Sequence, residues 1–230
     1  MAKRIKEPVV QYNGRKFQRI WVKTHIITDR DDIGDVVEQY TKGVLRNNDI
    51  VTIAESVVAI TQGRAIPINK IKPGLLAKVL WRFVRKVPYG IGLRSPWSMQ
   101  CAIEEVGGLR ILLAAFVSAF GKLLGRKGDF YKIAGKQAAM IDAAHTSGVK
   151  EFYECVIMGP KTPELVAKKV SKQINHPVAI VDANDISGCW VVGASDGLDL
   201  QMIEKVMADN PAGQGDSLTP IIIIREVKDE

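Results

Sequence analysis

The stretch VAIVDANDISGCWVVGASDG, residues 178–197, joins an apolar strand to a polar cluster. Its first four residues are β-branched or small and apolar, as in a buried strand. Asp182, Asn184 and Asp185 follow at once. Two interpretations stay open at this point. Asp and Asn stabilise tight turns by bonding to their own backbone, and the same oxygens are ligands for hard divalent cations.

Apolar periodicity on both sides of this stretch predicts strands that alternate with helices. The predicted strands cover residues 17–28, 50–54, 177–181 and 219–227. The predicted helices cover residues 29–45, 75–87, 95–108, 162–175 and 198–210, and residues 109–120 are expected to form a buried element. This order indicates an α+β chain of mixed α/β character.

Composition narrows the class of protein. The chain has 230 residues, 47% of them hydrophobic, which suits one domain or two interleaved lobes. Its net charge of +7 is compatible with an anionic ligand, a nucleic acid or a membrane surface. Aromatic residues make up only 7%, which argues against nucleic-acid binding.

Cysteine usage and hydropathy indicate a cytoplasmic protein. The three cysteines form no C-x-x-C pair, so neither a disulfide framework nor a zinc finger is expected. The longest apolar run, residues 111–120, is well short of the ~20 residues of a transmembrane helix. The predicted helix 75–87 has an apolar face and a basic one. It is either a surface helix on the core or a helix for a membrane surface or acidic partner.

Two further clusters could carry chemistry. The segment AAMIDAAHTSG ends an apolar run at Asp142 and places His145 three residues later, although a lone Asp is often a helix cap. The segment NPAGQGDSLTPIIII, residues 210–224, precedes the last strand. Its glycines and hydroxyls suit phosphate contacts, and an ordinary surface loop is the alternative.

Several common catalytic motifs are missing from the sequence. The glycine-punctuated basic segment 121–135 is interpreted as a loop that lacks the spacing of a P-loop, and G-x-G-x-x-G does not occur. GASDG, residues 193–197, has the letters of G-x-S-x-G, but nothing in the sequence points to a catalytic triad around Ser195. We therefore predict neither a P-loop NTPase, a serine hydrolase nor a dinucleotide-binding enzyme, and we assign no catalytic residue.

Taken in order, these segments resemble the coenzyme F420-0:L-glutamate ligase family, the γ-glutamyl ligases. Four stretches are similar to family segments: NDIVTIAESVVAITQGR (48–64), the MID that ends at Asp142, VAIVDAND, and GQGDSLTPIIIIRE. The resemblance runs from Trp21 to Glu226. It implies a single ligase-like domain over 1–230, which can take the form of two interleaved lobes, with a divergent basic insert around 74–135. It also implies that two copies of the chain form an intertwined homodimer.

The resemblance also implies an activity. Family members use GTP and a divalent metal, Mn²⁺ or Mg²⁺, to phosphorylate a carboxylate acceptor, whose acyl phosphate is then attacked by the amine of glutamate. The implied metal ligands are Asp142, Asp182, Asn184 and Asp185. The implied nucleotide contacts are Thr24, His25, Glu55, Ser56, His145, Gly213, Gln214, Gly215, Asp216, Ser217 and Thr219.

This sequence departs from the family pattern at several positions. Ile60 replaces a family Lys, Ala183 replaces a Thr beside the second metal Asp, and His145 replaces an Asn. The acceptor could therefore be F420-like, folate-like or another carboxylate. The alternative function is a non-catalytic ligand-binding protein on the same scaffold.

Overall fold

The computed structural model describes residues 6–84, 92–123, 125–126, 129–184, 188–213 and 216–227. The chain divides into two compact units. Unit 1 combines Met1–Gln62 with Lys161–Glu230, and unit 2 is the intervening Gly63–Pro160.

The elements follow one another along the chain. Unit 1 begins with strands β1 (Val9–Tyr12) and β2 (Arg15–Val22), helix α1 (Ile33–Thr41), strand β3 (Ile50–Ala54) and helix α2 (Glu55–Thr61). Unit 2 contains strand β4 (Ala65–Pro67), helices α3 (Leu75–Leu80), α4 (Pro96–Val106), α5 (Gly108–Leu123), α6 (Asp129–Ala134) and α7 (Lys136–Ala139), and strand β5 (Cys155–Ile157). Unit 1 resumes with helix α8 (Pro163–Ile174), strands β6 (Val178–Asn184) and β7 (Gly188–Ala194), helix α9 (Leu200–Val206) and strand β8 (Ile221–Val227). Short 3₁₀ turns cover Ile68–Lys70, Trp81–Phe83 and Lys150–Phe152.

The core of unit 1 is a six-stranded sheet in the order β1-β2-β8-β3-β6-β7. Strands β3 and β6 are parallel, and the other neighbours are antiparallel. The register places Ile53 opposite both Ile180 and Ile221. All three are fully buried, so these β-branched side chains form the centre of the sheet.

Helices cover both faces of this sheet. Val181 and Ile222 pack with Met202 and Ile203 of α9 on one face. On the face that carries Ile180, α8 lies against β6 and β7. Because both faces are covered, the central strands read as continuous apolar runs rather than as alternating ones.

Unit 2 is mainly helical, with one short β4–β5 pair. Its core joins side chains of α3, α4 and α5 to the segment around Ile141 and to Met158. Among the described residues, no helix is both long and apolar enough to cross a lipid bilayer.

The mixed α+β class is confirmed, and strand 50–54 is confirmed at its predicted bounds. Helices α1, α4, α8 and α9 lie inside the predicted ranges. Asp32 caps α1 by accepting from the Gly34 and Asp35 amides, and Ser95 caps α4 by accepting from the Ser98 amide. Thr162 is the N-cap residue of α8 and Pro163 follows it at the start of the helix, but Thr162 is left-handed and its side chain makes no capping hydrogen bond.

Other boundaries differ from the predictions because the partner strand decides where a ladder ends. β2 stops at Val22 rather than at residue 28, since its partner β8 begins opposite it at Ile221. β6 extends to Asn184 because β7 pairs with it as a hairpin partner. Residues 182–184, for which a turn and a set of metal ligands were both open, are therefore strand, and Asp185 lies outside the described residues.

Two predictions in unit 2 are wrong. Residues 109–120 form part of α5, and five of its large apolar side chains are exposed rather than buried. Segment 121–135, predicted as a loop, contains the end of α5 and the whole of α6. Within the predicted helix 75–87, the structure has α3 and then a 3₁₀ turn that ends at Phe83, and residues 85–87 lie outside the described part of the chain.

Candidate functional site

One edge of the unit 1 sheet collects the chain segments that sequence analysis singled out. Parallel strands β3 and β6 reach it side by side, with Ala54 opposite Val181, and β6 continues to Asn184. β2, antiparallel to β8, ends there as well, and β8 begins there, since Val22 and Ile53 both pair with Ile221. The residues just beyond these pairs therefore lie side by side, and we call this region the strand-end edge.

Thr24 is fixed at the strand-end edge by the segment that precedes β8. Its amide donates to the Leu218 carbonyl at 2.9 Å, and its hydroxyl donates to the His25 carbonyl at 2.8 Å. Thr24 is 5% exposed. Leu218 has a φ of +53°, a left-handed conformation that costs a branched side chain energy. The contact between these two segments is thus held by the fold despite local strain.

His25 follows Thr24 and is half-exposed. Its Nδ1 lies 2.9 Å from the Tyr40 hydroxyl, and its Nε2 lies 3.1 Å from Asp31 Oδ1. The Thr28 amide donates to the other Asp31 oxygen at 2.7 Å. This backbone bond, followed by the bond from His25, lowers the pKa of Asp31. The His25 ring is therefore oriented from both of its nitrogens.

Glu55 begins α2 directly after β3. It is 6% exposed, so its carboxylate is buried at the strand-end edge, and Ser56 beside it is half-buried. A buried carboxylate requires compensation by donors or cations. Glu55 is thus one of the residues at this edge that a ligand could engage.

Asp182 and Asn184 occupy the last residues of β6. They pair across the hairpin with Trp190 and Gly188. Side chains two apart on a strand point to the same face, so Asp182 and Asn184 share one. Burial raises the pKa of Asp182, and a hydrogen bond from Asn184 opposes this shift. The folded protein thus holds a desolvated carboxyl beside an amide.

Ala183 lies on the opposite face of β6, where it pairs with Cys189. Burial raises the pKa of Cys189 to about 12, and nearby Glu204 and Asp182 add to the shift. Cys189 is therefore a neutral thiol. A Thr hydroxyl at position 183 would point toward Cys189 rather than toward the Asn184 side of the strand.

In the segment before β8, two hydroxyl groups donate hydrogen bonds to a backbone carbonyl earlier in the same segment. The Ser217 and Thr219 hydroxyls lie 3.1 Å apart, and both donate to the Ala212 carbonyl. Gly213 has a φ of +71°, and its amide donates to the Asn210 carbonyl at 3.0 Å. Asp216 is exposed, and Gln214 and Gly215 lie outside the described residues.

Asn210 was missed by sequence analysis. It is 1% exposed, and its Nδ2 has no hydrogen-bond acceptor among the described residues. A buried donor in this state costs free energy unless a ligand or water accepts from it. The available signal was the Asn-Pro pair at 210–211, which marks a turn but not a role.

Asp142 and His145 belong to unit 2. Asp142 is exposed between buried Ile141 and Ala143, and it exchanges two backbone hydrogen bonds with Ile157, at 2.8 and 3.0 Å. His145 has a φ of +68°. Its amide donates to the Tyr153 carbonyl at 2.6 Å, and the two rings lie 5.0 Å apart.

The predicted residues thus fall into separate groups. The strand-end edge brings together Thr24, Glu55, Asp182 and Thr219, with their chain neighbours His25, Ser56 and Asn184. Asp142 and His145 lie in the other unit. In the part of the chain that the structure describes, no three His, Cys, Asp or Glu side chains form a group that could hold a metal ion.

Comparison with known protein families identifies the family to which this chain belongs. The family described as F420-0:Gamma-glutamyl ligase matches residues 21–184. The chain belongs to this family. A search of curated proteins finds no match.

The matched range of the γ-glutamyl ligase family includes most of the candidate residues. It contains β3 and β6, the end of β2, all of unit 2, and the predicted site residues from Thr24 to Asn184. It ends before the segment 213–219, which reaches the strand-end edge through β8.

Proposed function

We propose that this protein is a metal- and nucleotide-dependent γ-glutamyl ligase, with GTP as cosubstrate. The observation that supports this best is the strand-end edge. There Thr24, Glu55, Asp182 and Thr219 come from segments far apart in sequence and lie at or next to the ends of neighbouring strands. Membership of the F420-0:γ-glutamyl ligase family supports the reaction class.

The proposed reaction proceeds in two steps. A carboxylate oxygen of the acceptor attacks the γ-phosphorus of GTP, which forms an acyl phosphate and releases GDP. The amine of glutamate then attacks the acyl carbon, phosphate leaves, and the nitrogen loses a proton to give the amide. Phosphorylation is needed because the carboxylate oxygen is otherwise a poor leaving group.

Asp182 and Asn184 are the proposed metal ligands of unit 1, and Asp142 and Asp185 complete the proposed set. A bound Mn²⁺ or Mg²⁺ would offset negative charge on the phosphates. The donors suit such an ion because hard cations prefer carboxylate and amide oxygens. Burial raises the pKa of Asp182, and a divalent cation would favour the ionised form of this carboxylate.

The nucleotide is proposed to contact donors and acceptors at and beside the strand-end edge. The Thr and Ser hydroxyls and the His rings can donate to phosphate or ribose oxygens, and Glu55 can accept from hydroxyl or amino groups. The proposed contact residues are Thr24, His25, Glu55, Ser56, His145, and the segment from Gly213 through Gln214, Gly215, Asp216 and Ser217 to Thr219.

The proposed acceptor is an anionic carboxylate, F420-like or folate-like. The net charge of +7 favours the approach of anionic substrates over the whole surface. We also propose a homodimer, as the family resemblance implies.

Calorimetry tests the nucleotide and metal requirement. The native protein is titrated with GTP, ATP and GDP, each with Mn²⁺, with Mg²⁺ and without metal. Asp182→Ala and Asp142→Ala should each weaken metal-dependent nucleotide binding by about tenfold or more. Asp196→Ala is the matched control, since this carboxylate is 86% exposed in a surface pair with Lys168 and should leave binding unchanged. The absence of nucleotide binding by the native protein would refute the proposal.

A non-catalytic binding protein on the same scaffold is the second candidate. Ile60, at the position of a family Lys, is 5% exposed within α2, so this position contributes packing rather than a phosphate-binding cation. A phosphate-release assay with GTP, glutamate and either F420-0 or a folate separates the two. Amine-dependent phosphate release supports the ligase. Tight binding of GTP without any release favours the binding protein.

A further inference from the structure

Unit 2 carries an exposed apolar surface that the proposed ligase reaction does not use. On α5, five large apolar side chains are between 42% and 86% exposed. On α3 and the turn after it, three more are between 43% and 81% exposed. We call these eight residues the α3–α5 patch: Leu75, Val79, Phe83, Leu109, Leu112, Leu113, Phe116 and Phe120.

The spacing on α5 makes this surface a continuous stripe. Leu109, Leu112, Leu113, Phe116 and Phe120 follow the 3.6-residue period, so they lie along one side of the helix. The stripe is about 16 Å long, from the helical rise per residue. The Phe116 and Phe120 rings lie 4.9 Å apart. Large exposed apolar surfaces of this kind mark interaction sites.

The stripe is additional to the core of unit 2. Ile111 and Ala114, on the other side of α5, are fully buried and belong to the same cluster as Ala77 of α3. A Cβ added at Gly108 would lie 3.5 Å from the Leu76 side chain, which places the starts of the two helices in contact. Both helices therefore use one side for the core and leave an apolar side outward.

The charges beside the patch are almost all positive. On or next to α3 and α5, Lys72, Lys78, Arg82 and Arg110 are exposed, and among the described residues none of the four is in an ion pair. Glu104 of α4 is the exposed acidic residue closest to them in sequence. This combination of an apolar stripe with flanking cations is that of a helix that lies in the headgroup region of an anionic bilayer.

We propose that the α3–α5 patch docks on an anionic lipid membrane as a peripheral interface. The leucines and phenylalanines would enter the acyl boundary, and Lys78, Arg82 and Arg110 would contact lipid phosphates. A second copy of the chain meets this surface less well, because a symmetric contact would bring the cations of both copies together. Unlike a membrane-spanning helix, this docking is reversible and depends on salt.

Co-sedimentation with vesicles tests the proposal on the full chain. Vesicles of phosphatidylcholine alone are compared with vesicles that also contain phosphatidylglycerol, at low and at physiological salt. The native protein should bind the anionic vesicles and should not bind the neutral ones. Phe116→Ser/Phe120→Ser should weaken binding by about tenfold or more, because two aromatic side chains no longer leave water. Lys78→Gln/Arg82→Gln should reduce binding most at low salt, where the attraction between these cations and the lipid phosphates is screened least.

Leu165→Ser is the matched control, since Leu165 is a 65% exposed leucine on a helix of unit 1, and it should bind as the native protein does. Thermal unfolding checks that every variant is folded. Equal binding of neutral and anionic vesicles would overturn the proposal, as would native-like binding by the double Phe variant. If the native chain ignores vesicles and Phe116→Ser/Phe120→Ser turns a dimer into a monomer in light scattering, the occupant is a second copy and the proposal is wrong.

Discussion

In the sheet of unit 1, four consecutive isoleucines of β8 are all buried, whereas in unit 2 the leucines and phenylalanines of α5 are largely exposed. The two segments have similar apolar composition. β8 lies between β2 and β3 and is covered on both faces. α5 has a core on one side only. Apolar sequence alone therefore does not distinguish a side chain that stabilises the fold from one that is available to a partner.

Truncating one apolar side chain in each region tests whether the two regions differ in their contribution to stability. Ile53→Ala removes a fully buried side chain at the sheet centre and should cost about 2–5 kcal/mol of unfolding free energy. Phe116→Ala removes a 63% exposed ring and should change stability by about 0.5 kcal/mol or less. Urea unfolding of both variants measures the difference. Equal losses would show that the α5 stripe is structural.

These regions also differ in how far sequence could predict them. Strand 50–54 was predicted at its bounds because a short β-branched run between turn residues has few other solutions. The exposure of α5 was not predicted, since an apolar helix is buried only if something covers it. That depends on which helices pack around Ile111 and Ala114, and this packing is set by residues far away in sequence.

A second comparison contrasts the two sides of β6. Asn184→Ala removes an amide on the face of Asp182 and should weaken divalent-cation affinity by about 10–100-fold. Ala183→Thr restores the family hydroxyl on the face of Cys189, and it should leave metal affinity unchanged. Calorimetric titration with Mn²⁺ measures both. Tighter binding by Ala183→Thr would show that the ion is reached from the other side of the strand.

Sequence placed Thr24, Glu55, Asp182 and Thr219 as separate candidates, and the sheet register brings them to one edge. Register is a long-range property, which explains why the 182–184 segment was open between turn and metal ligand: only the pairing with β7 makes it strand. The same pairing decides that Asn184, rather than residue 183, shares the face of Asp182. Asn210 gave no functional signal in sequence because its burial depends on the fold around it.

Two glycines should respond to the same substitution with opposite signs. A Cβ at Gly193 would lie 2.4 Å from the Pro163 backbone, so Gly193→Ala forces α8 away from β7 and should cost about 1–3 kcal/mol. A Cβ at Gly108, at the start of α5, would meet the Leu76 and Ile103 side chains at ordinary distances of 3.5 and 3.8 Å. Gly108→Ala should stabilise unit 2 by about 0.4–1 kcal/mol. Thermal unfolding that ranks the two in the reverse order would contradict the close α8–β7 contact.

The smallest expected effect concerns Asp31, which orients His25 beside the strand-end edge. Its pKa is lowered first by the Thr28 amide and also by His25, so the folded state favours the carboxylate. This contribution to stability is present above the unfolded pKa of about 3.9 and is lost as pH falls through the folded pKa. Asp31→Asn should therefore cost about 0.5–1.5 kcal/mol at neutral pH, and the cost should shrink in acid.

Urea unfolding of the native protein and Asp31→Asn across this pH range measures the effect, with the exposed Asp196→Asn as the control. If the loss of unfolding free energy in Asp31→Asn stays constant with pH, Asp31 acts through packing and hydrogen-bond geometry rather than through its charge. A cost confined to neutral pH, together with weaker GTP binding, would tie the orientation of the His25 ring to the strand-end edge of unit 1. Since Asp31 and His25 both lie in unit 1, neither result depends on the apolar surface of α5.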